Sequence, residues 1–165
     1  MAKLYMGFDA GTQSVKVAVY DESFNPVASH SLPTTLHYPQ PGWVQMNIDE
    51  FLNITVECMK KTVDAIKGKG YSPSDIAAVM GDGIICGICG VDKNGKAVTP
   101  YINYLDSRTQ ADVDAINAKN LDIWGRETGN PEANCMFPAM FARWFLANSE
   151  DFRQKGVKFV HNAPY

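Results

Sequence analysis

Ten consecutive residues carry the densest chemistry in this 165-residue chain: Gly7-Phe8-Asp9-Ala10-Gly11-Thr12-Gln13-Ser14-Val15-Lys16. Glycines let a backbone approach a ligand closely, so the peptide N–H groups of a turn around Gly11 can face a polyanion. Thr12, Gln13 and Ser14 add side-chain donors at the same turn. Asp9 stands where a strand should end, and its carboxylate suits a hydrated Mg2+ that neutralises phosphate charge. Lys16, two residues past Ser14, brings a cation to the phosphate oxygens. The plainer alternative is a tight hairpin turn that contains an ordinary Asp and Gly.

Three other sites hold reactive or polar groups. Asp82, flanked by Gly81 and Gly83, offers a carboxylate in a flexible turn. Asp106 and Arg108 can bond each other or the polar groups of a ligand; the alternative is an N-capping Asp106 and a solvated Arg108 on a following helix. Cys86 and Cys89 form a C-x-x-C, the spacing of a redox pair or half a zinc site. No second C-x-x-C or C-x-x-H follows, and a strand over 84–91 would point residues three apart to opposite faces. With Cys58 and Cys135 they read as reduced thiols, small apolar side chains rather than metal ligands.

Composition fits an ordinary globular domain, 45% apolar and 20% charged. A net charge of -3 argues against a nucleic-acid or anionic-membrane partner, and three histidines leave little room for an imidazole metal site. The N-terminus runs straight into a strand pattern without a signal-peptide layout, and no window approaches the ~20 apolar residues of a membrane span. A cytoplasmic protein is expected.

The elements that must position these residues begin with strands over 3–8 and 14–20 around the Asp9–Gln13 turn, where Val15, Val17 and Val19 alternate with polar or small neighbours. A third strand over 27–32 completes an antiparallel meander. Asn47 and Glu50 have the spacing of a capping box before a helix over 48–67, whose apolar stripe is Leu52, Val56, Met59, Val63 and Ile66. A strand over 76–80 follows, then a hairpin of 84–91 and 96–98 about Asn94-Gly95, and a short strand over 101–105. Helices are expected over 108–119, 121–127 and 138–148, with a last strand over 157–160. Three antiparallel strands, a long helix and a strand returning to the same sheet suit an α/β fold of the ribonuclease H-like kind, shared by actin-like ATPases and sugar kinases.

Three segments carry a closer resemblance. Residues 7–16 match G-[IF]-D-x-G-T-x-S-x-[RK], the phosphate-binding hairpin of the FGGY family of carbohydrate kinases. Pro41-Gly42-Trp43-Val44-Gln45 is similar to that family's P-G-W-[VS]-E, with Gln45 in place of Glu, and actins and chaperones lack it. Pro100–Arg108 resembles P-x-I-x-W-x-D-x-R, with Tyr104 at the Trp position. The likeness continues through Thr128-Gly129-Asn130 and Arg143-Trp144 to Tyr165. The chain departs from the family at Ile84, Ile85 and Cys86, where xylulose kinases place Gln-Met-His and glycerol kinases Gln-Arg-Glu.

The resemblance implies transfer of the ATP γ-phosphate to a pentulose or polyol hydroxyl, with ATP and Mg2+ as cofactors. Gly11, Thr12, Gln13, Ser14 and Lys16 then hold phosphates, and Asp9 holds Mg2+ through water. Tyr104, whose ring would pack on substrate C–H groups, joins Asp82, Asp106 and Arg108 on the sugar side. Family members are about three times as long, and their catalytic base and adenosine contacts lie beyond residue 165. The chain is therefore expected to be an incomplete N-terminal kinase domain without its C-terminal domain, inactive alone. Missing later segments would leave Phe141, Trp144, Phe145, Phe159 and Val160 short of partners, and self-association through that surface is expected. The competing reading is a non-catalytic nucleotide- or sugar-sensing module on the same fold.

Overall fold

The structure is a computed structural model, and it describes residues 3–154 and 157–161. The last four residues of the family resemblance, up to Tyr165, lie outside the described residues. Two compact units emerge: one comprises residues up to Thr35 together with Asp49–Ile84, the other Leu36–Ile48 together with the chain from Ile85 onward.

In the first unit, β1 (Leu4–Ala10), β2 (Ser14–Tyr20) and β3 (Pro26–Pro33) form the expected antiparallel meander. β5 (Ile76–Gly83) joins the other side of β1 in parallel, giving the order β3-β2-β1-β5. This is the mixed sheet expected of the ribonuclease H-like fold. Val15, Val17 and Val19 share one face of β2 and are buried with Leu4 and Met6 of β1. The 20-residue helix α1 (Ile48–Lys67) covers that face, where the Cys58 thiol reaches the carbonyls of Val15 at 3.7 Å and His30 at 3.4 Å.

The face α1 buries differs from the expected one. Phe51, Thr55, Cys58, Thr62 and Ile66 are buried, whereas Leu52 is 42% and Val56 39% exposed. Two threonines can face an apolar sheet because their hydroxyls are satisfied inside the helix. Thr55 donates to the Phe51 carbonyl and Thr62 to that of Cys58, each at 2.9 Å.

β5 also runs three residues past its expected end at 80, through the pairs Phe8↔Gly81, Asp9↔Asp82 and Ala10↔Gly83. Glycine is required at 81 because a β-carbon there would collide with the Phe8 ring. Asp82 therefore sits at the end of a strand rather than in a turn. The expected strand over 84–91 is broken: Ile84 donates to the Ala10 carbonyl, Cys86 adopts a left-handed backbone with φ of 64°, and only Cys89–Val91 forms a strand, β6.

The second unit is held by small ladders. β4 (Gln45–Met46) pairs antiparallel with β7 (Tyr101–Ile102), and β6 pairs antiparallel with β8 (Lys158–Val160). The 101–105 strand thus stops at Ile102. The expected Asn94-Gly95 turn follows β6, with the Asp92 carboxylate accepting the N–H groups of Asn94 and Lys96. α2 is shorter than expected (Gln110–Asn117), the 121–127 helix is a π-type turn at Trp124–Thr128, and α3 has its expected span, Pro138–Asn148.

The C-terminal aromatics contradict the expectation of an uncovered surface. Phe141 and Phe145 are buried, and Trp144, Phe159 and Val160 are half-buried within the chain itself. Part of their cover is α4 (Glu150–Gln154), an element absent from the sequence reading. Its Phe152 stacks on Phe145 at 5.6 Å and on Phe159 at 4.5 Å. Ile88, Ile102 and Trp43 supply more. Phe141 and Phe145 thus have their partners within the chain, while Trp144, Phe159 and Val160 keep part of their surface exposed. No described helix is long and apolar enough to cross a membrane.

Two measurements check this description. Cys58 and Cys89 are fully buried, and burial pushes the Cys58 thiol above its ordinary value, whereas Cys86 and Cys135 are partly exposed. Brief alkylation of the folded protein at pH 8 should mark Cys86 and Cys135 alone by peptide mass mapping; equal labelling at all four would contradict the packing of α1. The N–H groups of Lys96 and Asn94 hold the Asp92 carboxyl below its ordinary value. A depressed folded value means that the hairpin's contribution is intact above the unfolded carboxylate value of about 3.9 and fades as pH falls below it. An NMR titration of the Asp92 carboxyl should give a midpoint below that of a model peptide.

Candidate functional site

The tip of the β1–β2 hairpin is built tightly. The Gly11 N–H donates to the Ser14 carbonyl at 3.2 Å, closing the turn. Thr34, just past β3, ties it from the side: its hydroxyl donates to the Thr12 carbonyl at 2.6 Å and its N–H to the Gln13 carbonyl at 3.1 Å. These bonds occupy carbonyl oxygens and fix the peptide planes of the turn. A β-carbon on Gly11 would lie 3.0 Å from the Ser14 carbonyl and 3.4 Å from an Asp9 carboxylate oxygen, so only glycine leaves this cradle open. Gln13 is exposed, and Thr12 and Ser14 are half-buried.

Asp9 and Lys16 face each other across the antiparallel ladder, with Nζ 3.3 Å from Oδ2. Both side chains remain more than half exposed, so the pair contributes little to stability and either group can exchange its partner for a ligand. On the other side of Asp9, the parallel register sets Asp82 beside it. Asp82 is exposed, and one carboxylate oxygen accepts its neighbour Gly83's N–H at 2.7 Å. The structure thus brings together Asp9, Lys16, the Gly11 turn and Asp82. Among the described residues no three His, Cys, Asp or Glu side chains form a metal cluster. Asp9 beside the open Gly11 cradle fits a cation held through water rather than one stripped of its shell.

The second unit carries the Tyr104 loop. Asp106 and Arg108 find each other: Arg108 Nε donates to Oδ1 at 2.9 Å and Nη2 to Oδ2 at 2.8 Å. Neither is solvated, since the side chains are 2% exposed for Arg108 and 0% for Asp106. The Arg108 guanidinium lies 3.9 Å from the centre of the Trp43 ring and 4.9 Å from that of Trp144. Asp106 Oδ2 also accepts the Val44 N–H at 2.6 Å, and Arg108 Nη2 reaches the Gln45 side-chain oxygen at 3.2 Å. Of the two readings of this pair, mutual bonding is the one found, and the alternative of a solvated Arg108 falls, since indoles and a carboxylate surround it. Tyr104, by contrast, is 37% exposed.

Comparison with known proteins now decides the family. A profile of the FGGY family of carbohydrate kinases, N-terminal domain, matches residues 4–165. The chain belongs to the FGGY family. It is 31% identical to glycerol kinase 2 of Thermotoga maritima over 94% of its own length, and 30% identical to a glycerol kinase of Caldanaerobacter subterraneus over 96%. It spans 31% of the length of each. Its fold superposes on a xylulose kinase from Rhodospirillum rubrum with a TM-score of 0.86 at 20% identity, covering 98% of this chain and 32% of that one. For a glycerol kinase from Plasmodium falciparum solved with ADP the TM-score is 0.84 at 23% identity, with 98% and 33% covered. The FGGY resemblance and the fold class expected from the sequence are both borne out.

Sequence reasoning missed Trp144 and Asn103 as parts of this FGGY site. Trp144 stands out only with Arg143 in the family likeness and as an aromatic short of partners, and nothing local marks it as a neighbour of the Arg108 guanidinium. Asn103 is fully buried, and its side-chain oxygen accepts the Leu105 N–H at 3.0 Å. Asp106→Ala would leave a buried guanidinium without its counter-ion and the Val44 N–H without an acceptor. Loss of one partner of such a pair costs about 3–5 kcal/mol. Urea unfolding should register that loss, and a change below ~1 kcal/mol would show that the pair is solvated in solution.

Proposed function

We propose that this chain is the N-terminal part of an ATP-dependent kinase that phosphorylates a hydroxyl of a pentulose or polyol. The observation that carries the reading is the Gly11 turn with the opposed Asp9 and Lys16 side chains at its base. Phosphoryl transfer is mostly positioning and charge neutralisation, and this turn supplies both. The turn that the Gly11 N–H closes presents the Thr12, Gln13 and Ser14 segment to phosphate oxygens, and Gly11 leaves room for their approach. Lys16 leaves Asp9 to meet them, which frees the Asp9 carboxylate for the water shell of Mg2+. The bound cation would offset charge on the phosphates.

For the sugar, the second unit offers the flat apolar face of Tyr104, and the first unit separately offers the Asp82 carboxylate. Asp106 and Arg108, also assigned to the sugar from sequence, are occupied by each other, and in this reading they hold the loop that carries Tyr104. Glycerol kinases and xylulose kinases are the relatives, and they support a small polyhydroxyl acceptor. The general base and the adenosine contacts are assigned to the remaining two-thirds of the length that those relatives possess.

Calorimetric titration with MgADP tests the phosphate site. Wild-type protein should bind, and Asp9→Ala and Gly11→Ala should each weaken binding severalfold or more; equal affinity in all three would move the nucleotide elsewhere. A coupled assay with glycerol or D-xylulose should show no turnover by the 165 residues, because loss of a general base alone costs roughly 10²–10⁴-fold.

A further inference from the structure

Tyr104 sits at the top of a turn whose two feet are buried. One foot is Asn103, whose N–H donates to the Val44 carbonyl at 3.0 Å and whose side-chain oxygen holds the Leu105 N–H. The other foot is Asp106, whose N–H returns to the Asn103 carbonyl at 3.0 Å while its carboxylate accepts Val44, Arg108 Nε and Arg108 Nη2. Ser107 adds a further tie from its N–H to the Gly42 carbonyl at 2.8 Å. The turn is thus bolted to residues 42–45 by Asn103, Asp106 and Ser107, and Arg108 adds a further link by joining the Asp106 carboxylate to the Gln45 side-chain oxygen. A carboxylate cannot stay ionised and dry unless a cation stays with it. That cation has no exit, because Trp43 and Trp144 cover it.

We infer that Arg108, packed against Trp43 and Trp144, is the positioning residue that fixes the Tyr104 ring for its ligand without touching the ligand itself. The geometry demands arginine. A lysine ammonium could neutralise Asp106, yet it has no planar fork to reach both carboxylate oxygens and Gln45 while stacking flat on an indole. Trp144 is the remote member, on α3, 36 residues after Arg108 in sequence. The inference rests on the proposed role of Tyr104 as a sugar-facing ring, and its test separates the two.

The first readout needs no ligand. In protein carrying 13C-labelled tyrosine rings, with the Tyr104 signal assigned through Tyr104→Phe, Arg108→Lys should shift or broaden the Tyr104 ring resonances. Trp144→Phe should do the same if Arg108→Lys fails to fold. Val113→Ala, a core change in the separate cluster of Val113, Ala133 and Met140, serves as a destabilised control and should leave the signal unmoved. The second readout is the affinity for glycerol and for D-xylulose as probes. Arg108→Lys should weaken binding roughly tenfold or more relative to Val113→Ala, because small misplacements of a binding group are costly. A Tyr104 signal in Arg108→Lys and Trp144→Phe identical to wild type overturns the positioning role. So does probe affinity equal to that of Val113→Ala when Tyr104→Ala abolishes binding, and there the role of Tyr104 survives. If Tyr104→Ala binds both probes as wild type does while its ring signal responds to Arg108→Lys, the positioning stands and the sugar-facing role of Tyr104 falls.

Discussion

A guanidinium that does not meet water organises the second unit. Taking Arg108 and Asp106 out of solvent is unfavourable for each alone, and the pair is tolerable only because almost every hydrogen-bonding direction is met. The carboxylate takes two bonds from the arginine side chain, one from the Arg108 backbone N–H and one from that of Val44, while the guanidinium packs near two indoles. Remove one member and the rest become unpaired charges or orphaned N–H groups. The segment 42–45, the Tyr104 turn and α3 therefore hold their relative places as one cooperative assembly. Gln45 fits this arrangement as a neutral acceptor; the glutamate usual in the family would add a second carboxylate to a cation that Asp106 already neutralises.

The first unit rests on a different constraint, the position of β1 in the middle of its sheet. It pairs antiparallel with β2 on one side and parallel with β5 on the other. That double pairing sets Asp9 beside Lys16 and beside Asp82 at once, so three charged groups meet at one end of the sheet with no side-chain cluster needed to gather them. Backbone hydrogen bonds fix where these groups stand, and their side chains stay solvated and free to exchange partners. The proposed phosphate site would use this division, with a hydrogen-bonded turn beneath and solvated charges above.

The two halves of the chemistry thus use electrostatics in opposite ways. At the hairpin, Asp9 and Lys16 keep their water, and their mutual attraction is weak enough to be replaced by a ligand. At the Tyr104 turn, Asp106 and Arg108 have lost theirs, and their attraction serves architecture. Residue type alone does not distinguish these uses, since both are one acid and one base.

Sequence by itself determined much of the local structure. The β1–β2–β3 meander, the ends of α1 and α3, the Asn94-Gly95 turn and the glycine at position 11 follow from alternation, helical periodicity and turn chemistry, which are properties of neighbouring residues. The motif at 7–16 marked the hairpin for the same reason, and the family followed from it together with residues 41–45 and 100–108. Tertiary structure decided what neighbours cannot encode. It kept Ile66 but chose Phe51, Thr55, Cys58 and Thr62 over Leu52 and Val56 of the more apolar stripe of α1, because the threonine hydroxyls bond within the helix and that face meets the sheet. It extended β5 to Gly83 because β1 offered partners, and it covered Phe145 and Phe159 with Phe152 from a helix too short to announce itself. It buried Arg108, because the two indoles that enclose it come from segments about a hundred residues apart and only the folded chain brings their faces to one cation.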